Sequence, residues 1–324
     1  MKSIFVVAII LIVVLVTGIT FLSPPNENAN GMDNVNVRLK WIHQAQFAGF
    51  HTAEQMGFYE QNRIRANLIP GNAEAPSIQM VAGGSEQFGI TGMAQLMEAR
   101  AKGVPVVALA VIYRKNPLIW FSVNENITSA KDLIGKKVGV TVASNSDILF
   151  RAMLVKAGVD INNVEIVPVK YDISLLLTGT VDAYEGYLIN QPLSARENGF
   201  KTYIINPTDY GINFYGDAIF ATEDMIKKNP DLVRRFMNAT LQGWEYAYSH
   251  PDEAVNYTLT YSDQLTRAHE TAMMYASLEL LKPDDKPIGT IERAILEEMQ
   301  ELLVSNKILD VPLNLDTLYT DQFL

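Results

Sequence analysis

The chain has 324 residues, 48% of them apolar and 19% charged, with a formal charge of −10. It is long enough for two cores and too acidic to suit nucleic acid, whose phosphates demand clustered Lys and Arg. Cysteine is absent, which excludes disulfides, thiolate catalysis, iron–sulfur clusters and Cys-based zinc sites.

At the N-terminus Lys2 precedes an apolar run from Ile4 to Leu22, broken only by Thr17, Gly18 and Thr20. The run fits a bilayer span of ~20 residues better than a signal h-region of ~7–15, and no A-x-A-like cleavage site follows directly. Residues 1–22 therefore read as a membrane anchor, with a cleaved signal peptide as the alternative, and 23–34 as a Pro/Asn-rich linker. Lys2 inside and the remainder outside follows from the positive-inside tendency. An extracytoplasmic location, in the periplasm or on the outer face of the cell membrane, is expected either way.

Val35–Trp41 alternates as a strand does. Ala48–Gln61 carries helical spacing and leads to a strand at Ile64–Ile69, a helix at Ser77–Ala82 and a short strand at Gln87–Ile90. Met93–Ala101 is a helix stopped by Gly103, and Val104–Val111 is the unbroken apolar run of a buried strand. This β-α-β-α-β-α-β order implies a parallel sheet with right-handed crossovers. The same grammar restarts after Leu118–Val123: a short helix at Ser129–Leu133, strand Lys137–Val142, helix Ser146–Ala157, strand Val164–Val169, helix Ile173–Thr178, strand Val181–Tyr187. Thr202–Ile205 and Ala218–Thr222 are strand-like, and from Glu223 the chain turns helical. The expected fold is α/β, two βα lobes joined by two crossover segments near Leu118–Val123 and Pro207–Ala218, with a helical C-terminal region. Lobe 1 is assigned 35–120 plus 216–324, and lobe 2 121–215.

Ligands of open α/β sheets sit beyond the carboxyl ends of the strands. Five segments lie at such ends: Trp41–Phe50, Thr91–Gln95, Thr141–Asp147, Glu185–Pro192 and Asp209–Asp217. They pool aromatics, amides, hydroxyls and isolated carboxylates, a mixture that stacks on a flat ring and reads its edge. The candidate ligand-binding residues are Trp41, Gln44, Gln46, Phe47, Thr91, Ser144, Ser146, Glu185, Tyr187, Asn190, Tyr210, Tyr215 and Asp217. Several have plainer readings. Trp41 either stacks on a ligand or caps the core, and Gln44 and Gln46 are either contacts or exposed loop amides. Ser144 to Asp147 reads first as a helix N-cap, whose N–H groups are free to hold an anion or ring oxygen as well. Asp217 pairs with a ligand or with a backbone amide, and Tyr210 and Tyr215 line the cleft or pack between lobes. Catalytic residues are expected nowhere. The four histidines, His43, His51, His250 and His269, stand in no metal-ligand spacing. On one continuous helix His43 and His51 would lie ~80° apart. Neither a metal nor a cofactor is expected.

Arg38-Leu39-Lys40-Trp41, Gln46–Phe50 and Gly57-Phe58-Tyr59 resemble the opening of the thiamine-pyrimidine-precursor solute-binding proteins, relatives of the sulfonate and nitrate binders. The resemblance continues through Phe88–Ile90, Ala99–Val106, Asp132–Gly139, Val181–Tyr187, Asp209–Asp217 and Gly243–Ala247, in order from Val35 to Tyr257. It implies a type II periplasmic-binding fold, with Trp41 and a tyrosine holding an aromatic ligand and Glu185 reading its edge. Members bind pyrimidine precursors, flavin-like rings, sulfonates or nitrate. It also implies a partner: an ABC permease for a delivery protein, or a membrane sensor for a ligand-sensing subunit. One branch is enzymatic, the pyrimidine synthases of thiamine biosynthesis, which use pyridoxal phosphate, a Lys, a His and a Cys-rich iron motif. Here Thr91 stands where the Lys is expected and Gln95 where the His is, and no Cys exists.

Overall fold

The structure, a computed structural model, describes residues 31–324 apart from 73–74, 143 and 171–172. The apolar run 1–22 and most of the linker 23–34 lie outside the described residues. Among those described, no helix is long and apolar enough to cross a membrane.

Ten strands form two five-stranded sheets. The first holds β1 (Asp33–Arg38), β2 (Ile64–Ile69), β3 (Phe88–Gly92), β4 (Val106–Val111) and β10 (Asp217–Thr222), in the order β2-β1-β3-β10-β4. The second holds β5 (Leu118–Ser122), β6 (Lys137–Val140), β7 (Glu165–Pro168), β8 (Ala183–Tyr187) and β9 (Tyr203–Ile205), in the order β7-β6-β8-β5-β9. The two-lobe α/β architecture is as the sequence indicates. The expected all-parallel first sheet is not. β1 runs parallel to β2 and β3, but β10 enters between β3 and β4 antiparallel to both. The second sheet repeats this, with β5 antiparallel to β8.

The connection explains the reversal. Strands such as β1, β3, β6 and β8 end at the junction of the lobes, so a chain arriving there from the other lobe must run away from it. β10 and β5 are those two arriving strands. Leu118–Val123, expected to be a crossing, is thus largely the paired strand β5, and the chain passes over in 112–117 and returns in 206–216.

Most helices fall close to the spans the sequence implies, but the expected Ala48–Gln61 helix is two, divided at Gly57 with φ 72°, and the helix Gln191–Glu197 is not among those spans. The helices are α1 (Ala48–Gln55), α2 (Phe58–Gln61), α3 (Ser77–Ala82), α4 (Met93–Ala101), α5 (Asn145–Lys156), α6 (Ser174–Leu177), α7 (Gln191–Glu197), α8 (Glu223–Lys228), α9 (Pro230–Ser249), α10 (Pro251–Leu259), α11 (Arg267–Leu281) and α12 (Arg293–Ser305). Prolines open α9 and α10 at a position where the missing N–H costs nothing. On α9 the buried set Leu232, Val233, Phe236, Met237, Thr240, Gly243, Trp244 and Ala247 follows the 3.6-residue period. α9 crosses α1 at close range: a Cβ on Gly243 would fall 2.3 Å from the Gly49 carbonyl oxygen, and one on Gly49 would fall 2.1 Å from the Trp244 ring. That crossing seats the loop preceding α1, which carries Gln44 and Gln46.

One apolar core runs under the first sheet, joining Phe88, Phe236 and Trp244. Another spans both lobes, joining Met93 and Met97 of α4 to Leu149, Phe150 and Met153 of α5 and to Leu296, Met299 and Leu303 of α12. Beneath β1 and β3 the buried Arg38 guanidinium pairs with Glu86 and donates to the Pro70 carbonyl at 2.9 Å. Burial without both partners would leave an uncompensated charge.

Candidate functional site

A cavity of about 320 Å³ opens between the two sheets. Its wall comes from the carboxyl ends of β1, β3, β6 and β8 and the start of β5: Lys40 and Trp41, Thr91, Thr141, Glu185 with Tyr187, and Leu118. Strand ends make such a wall because the side chain that caps each strand is free of the ladder and faces the gap.

Of the thirteen candidate residues, nine line the cavity: Trp41, Gln44, Gln46, Thr91, Ser144, Ser146, Glu185, Tyr187 and Asn190. Phe47 does not. It is 1% exposed, packed in the core of the first sheet, because a residue at the start of α1 turns its side chain inward. Tyr210 points elsewhere, its hydroxyl accepting from the Ala130 N–H at 2.7 Å. Tyr215 is buried, and its hydroxyl accepts from the Glu292 N–H at 3.0 Å. Both tyrosines sit on the second crossing, where Ile212, Phe214 and Tyr215 fill the core between lobes. Asp217 stands behind the wall at 1% exposure and organises it.

Asp217 is the hub. One carboxylate oxygen accepts from Lys40 Nζ at 2.9 Å and from the Tyr187 hydroxyl at 2.9 Å; the other accepts from Gln46 Nε2 at 2.6 Å. Lys40 also contacts the Tyr187 hydroxyl and lies 4.8 Å from its ring centroid. Burial, then the neighbouring Asp217 charge, pushes the Tyr187 phenol well above its ordinary range, so it serves as a hydrogen-bond donor. Gln46 Oε1 accepts from Gln44 Nε2 at 2.6 Å, and Gln44 Oε1 accepts from Asn190 Nδ2 at 2.9 Å.

Glu185 is 8% exposed at the end of β8 and accepts from the Thr141 N–H at 2.8 Å and from the Thr141 hydroxyl. Burial raises its carboxyl above the usual range; the Thr141 and Ser146 hydrogen bonds oppose that. Ser144 is the N-cap of α5, accepting from the Ser146 N–H at 3.1 Å, and lines the cavity as well. Cap and site coincide there. The motif around Asp132, by contrast, is structural: Ser129 and Asp132 form a capping box at the start of the 3-10 helix Ala130–Leu133.

Lys40, Asn72 and Tyr184 also line the cavity from outside the named strand-end segments, and Gln95, Thr141, Asn145 and Gln191 line it from within those segments without having been singled out as candidates. Lys40 was within reach, one position past β1 beside Trp41. Asn145 was not: its amide closes on β3, where a Cβ on Gly92 would fall 2.6 Å from it. His43 and His51 are brought together, their ring nitrogens 3.1 Å apart with Tyr261 stacked on His51, because His43 precedes the helix instead of sharing it. Among the described residues no group of three or more His, Asp or Glu could hold a metal ion.

The family model described as "NMT1/THI5 like" matches residues 44–254. The formylaminopyrimidine-binding protein of Halalkalibacterium halodurans is 25% identical over 96% of this chain and 96% of its own. The 4-amino-5-hydroxymethyl-2-methylpyrimidine phosphate synthase of Legionella pneumophila is 22% identical over 68% of this chain and 71% of its own. Among solved structures, the alkanesulfonate-binding protein of Xanthomonas axonopodis pv. citri bound to MOPS superposes with a TM-score of 0.71 at 14% identity, over 89% of this chain and 98% of that one.

Proposed function

Because this chain belongs to the NMT1/THI5-like family, we propose that it is an extracytoplasmic solute-binding protein that closes two lobes on a small, flat, uncharged or weakly charged heterocycle and presents it to an ABC permease. The observation that carries this reading is the cavity itself: the aromatic residues Trp41, Tyr184 and Tyr187 line it together with the polar residues Glu185, Gln44, Gln46 and Asn190. A volume of about 320 Å³ lies at the small end of ligand pockets, ~300–1,000 Å³, and suits a one-ring heterocycle with short substituents. A pyrimidine precursor fits that description.

Charge supports the choice of ligand class. Among the described lining residues Lys40 is the one cation, and Asp217 neutralises it. Glu185 is a carboxylate with hydroxyl and amide partners. The balance favours a ring that donates hydrogen bonds over a sulfonate or nitrate. A non-catalytic role is supported by the strand-end pair that the synthase resemblance would require to be Lys and His. Here Thr91 donates to Gln95 Oε1 at 3.0 Å, and neither side chain forms a Schiff base or transfers a proton at neutral pH.

The test is a thermal-shift and calorimetric panel of pyrimidines, flavins, pyridoxal forms and sulfonates against the purified protein, since a ligand that binds only the native state raises its melting temperature. One-to-one binding of an aminopyrimidine without turnover is expected. Formation of a pyrimidine product from pyridoxal phosphate and iron would replace the binding role with the enzymatic one. A ligand-sensing role, the alternative use of the same fold, is distinguished by which membrane protein the ligand-loaded form engages.

A further inference from the structure

Among the described residues that line the cavity, Asn145 is the one whose buried side-chain atoms lack a hydrogen-bond partner: neither Oδ1 nor Nδ2 has one. The residue is 4% exposed, so its amide is sealed from bulk water as well. Its polar neighbours in the wall are engaged elsewhere. Ser144 donates to the Thr141 carbonyl at 2.6 Å and Thr91 to Gln95 Oε1 at 3.0 Å, while Glu185 accepts from the Thr141 N–H at 2.8 Å.

Asn145 opens α5, which follows β6 of the second sheet, and its amide lies against Gly92, where β3 of the first sheet ends. Gly92 has φ −70° and ψ 139°, angles open to any residue, so its missing side chain provides space and not backbone freedom. A Cβ there would fall 2.6 Å from Asn145 Cγ and Oδ1 and 3.0 Å from Nδ2. The relief at Gly92 thus admits an amide where the two sheets meet. Local structure has no need of that amide, because Ser144 already caps α5. Packing has none either: a buried amide left unpaired is destabilising, whereas an apolar side chain of the same shape is not. The use that remains for it is a guest in the cavity, and the χ2 torsion of asparagine is broad, so the amide turns to such a guest at little cost.

We propose that Asn145 is a specificity-determining residue of the cleft, its amide pairing with a guest that carries an acceptor beside a donor on one edge, as a ring nitrogen next to an exocyclic amino group does. An asparagine amide sets an acceptor oxygen beside donor N–H groups, and that edge is its complement, as in the pairing of Asn with adenine. The inference rests on the heterocycle-binding reading above and narrows its ligands to amino-substituted rings. Sulfonate and nitrate oxygens only accept, so either anion would leave Oδ1 buried and unpaired.

Calorimetry on the purified full chain compares two probes: 4-amino-5-hydroxymethyl-2-methylpyrimidine, and 5-hydroxymethyl-2,4-dimethylpyrimidine, in which a methyl of similar size replaces the amino group. The parent is expected to prefer the amino ring by about tenfold to a hundredfold, the scale of a buried group left unpaired. Asn145→Leu keeps the shape and drops the amide, and should cut that preference by about tenfold. Asn145→Ala, which removes the atoms nearest Gly92, gives the same comparison if the leucine variant does not fold. Gly92→Ala, which crowds the amide, should reduce the preference too. The ratio of the two affinities is the readout, because a merely structural role would weaken both rings alike. A parent that binds both rings equally, or a ratio unchanged in the Asn145 variants, overturns the role of Asn145 and leaves heterocycle binding standing. A parent that binds neither ring overturns both.

Discussion

At the scale of single residues, the site separates into groups that line the cavity and groups that hold them. Trp41 lines it and is the proposed ring anchor. Replacing Trp41 by Ala is expected to weaken binding by about 1–3 kcal/mol, the range of aromatic anchors, and calorimetry with an unchanged affinity would remove Trp41 from the site. Glu185 carries a pH signature. Burial raises its carboxyl, so the native state keeps a proton at a pH where the unfolded chain has lost it. That contribution to stability is whole below the ordinary carboxylate range and is lost as pH rises through the raised value. Glu185→Gln should therefore melt higher than the parent at neutral pH without ligand, with little difference in acid, and should bind a donor ring more weakly. Equal melting differences at both pH values would contradict the buried-carboxylate account. Lys40, Asp217 and Tyr187 form the holding set: the phenol donates to Asp217 because its own ionisation is suppressed.

At the scale of elements, the site is only as well placed as the loop from Trp41 to Phe47, and that loop is placed by α1 against α9. Gly243 leaves no room for a methyl beside the Gly49 carbonyl. Gly243→Ala would push the helices apart, at a cost of about 1–3 kcal/mol in a packed core, and should lower both the melting temperature and ligand affinity. Chemical denaturation with an unaltered midpoint would show that the crossing yields more readily than its geometry indicates. α5 places a second wall: its Ser144 cap fixes the first turn, and the same turn supplies Ser144, Asn145 and Ser146 to the cavity.

At the scale of the whole molecule, the proposed function makes binding and closure one equilibrium. A ligand touching both lobes stabilises the closed form by its difference in affinity for the two states, so X-ray scattering should report a smaller radius of gyration once an aminopyrimidine is added; no change in dimensions with a saturating ligand would refute closure. Much of this was legible beforehand. Hydrophobic periodicity located the strands and the helical C-terminal region, and the strand ends named most of the cavity wall, because those signals are local in the chain. The antiparallel entry of β5 and β10, the inward turn of Phe47, the diversion of Tyr210 and Tyr215 into the interlobe core, and the meeting of Asn145 with Gly92 were not. Each depends on which distant segment arrives next to it: direction of entry is set by the crossing, and side-chain partners by packing between lobes. The chain by itself determined the kind of fold and the chemistry of its strand ends; the tertiary structure alone decided which of those groups face the gap, because facing is a relation between segments that periodicity does not encode.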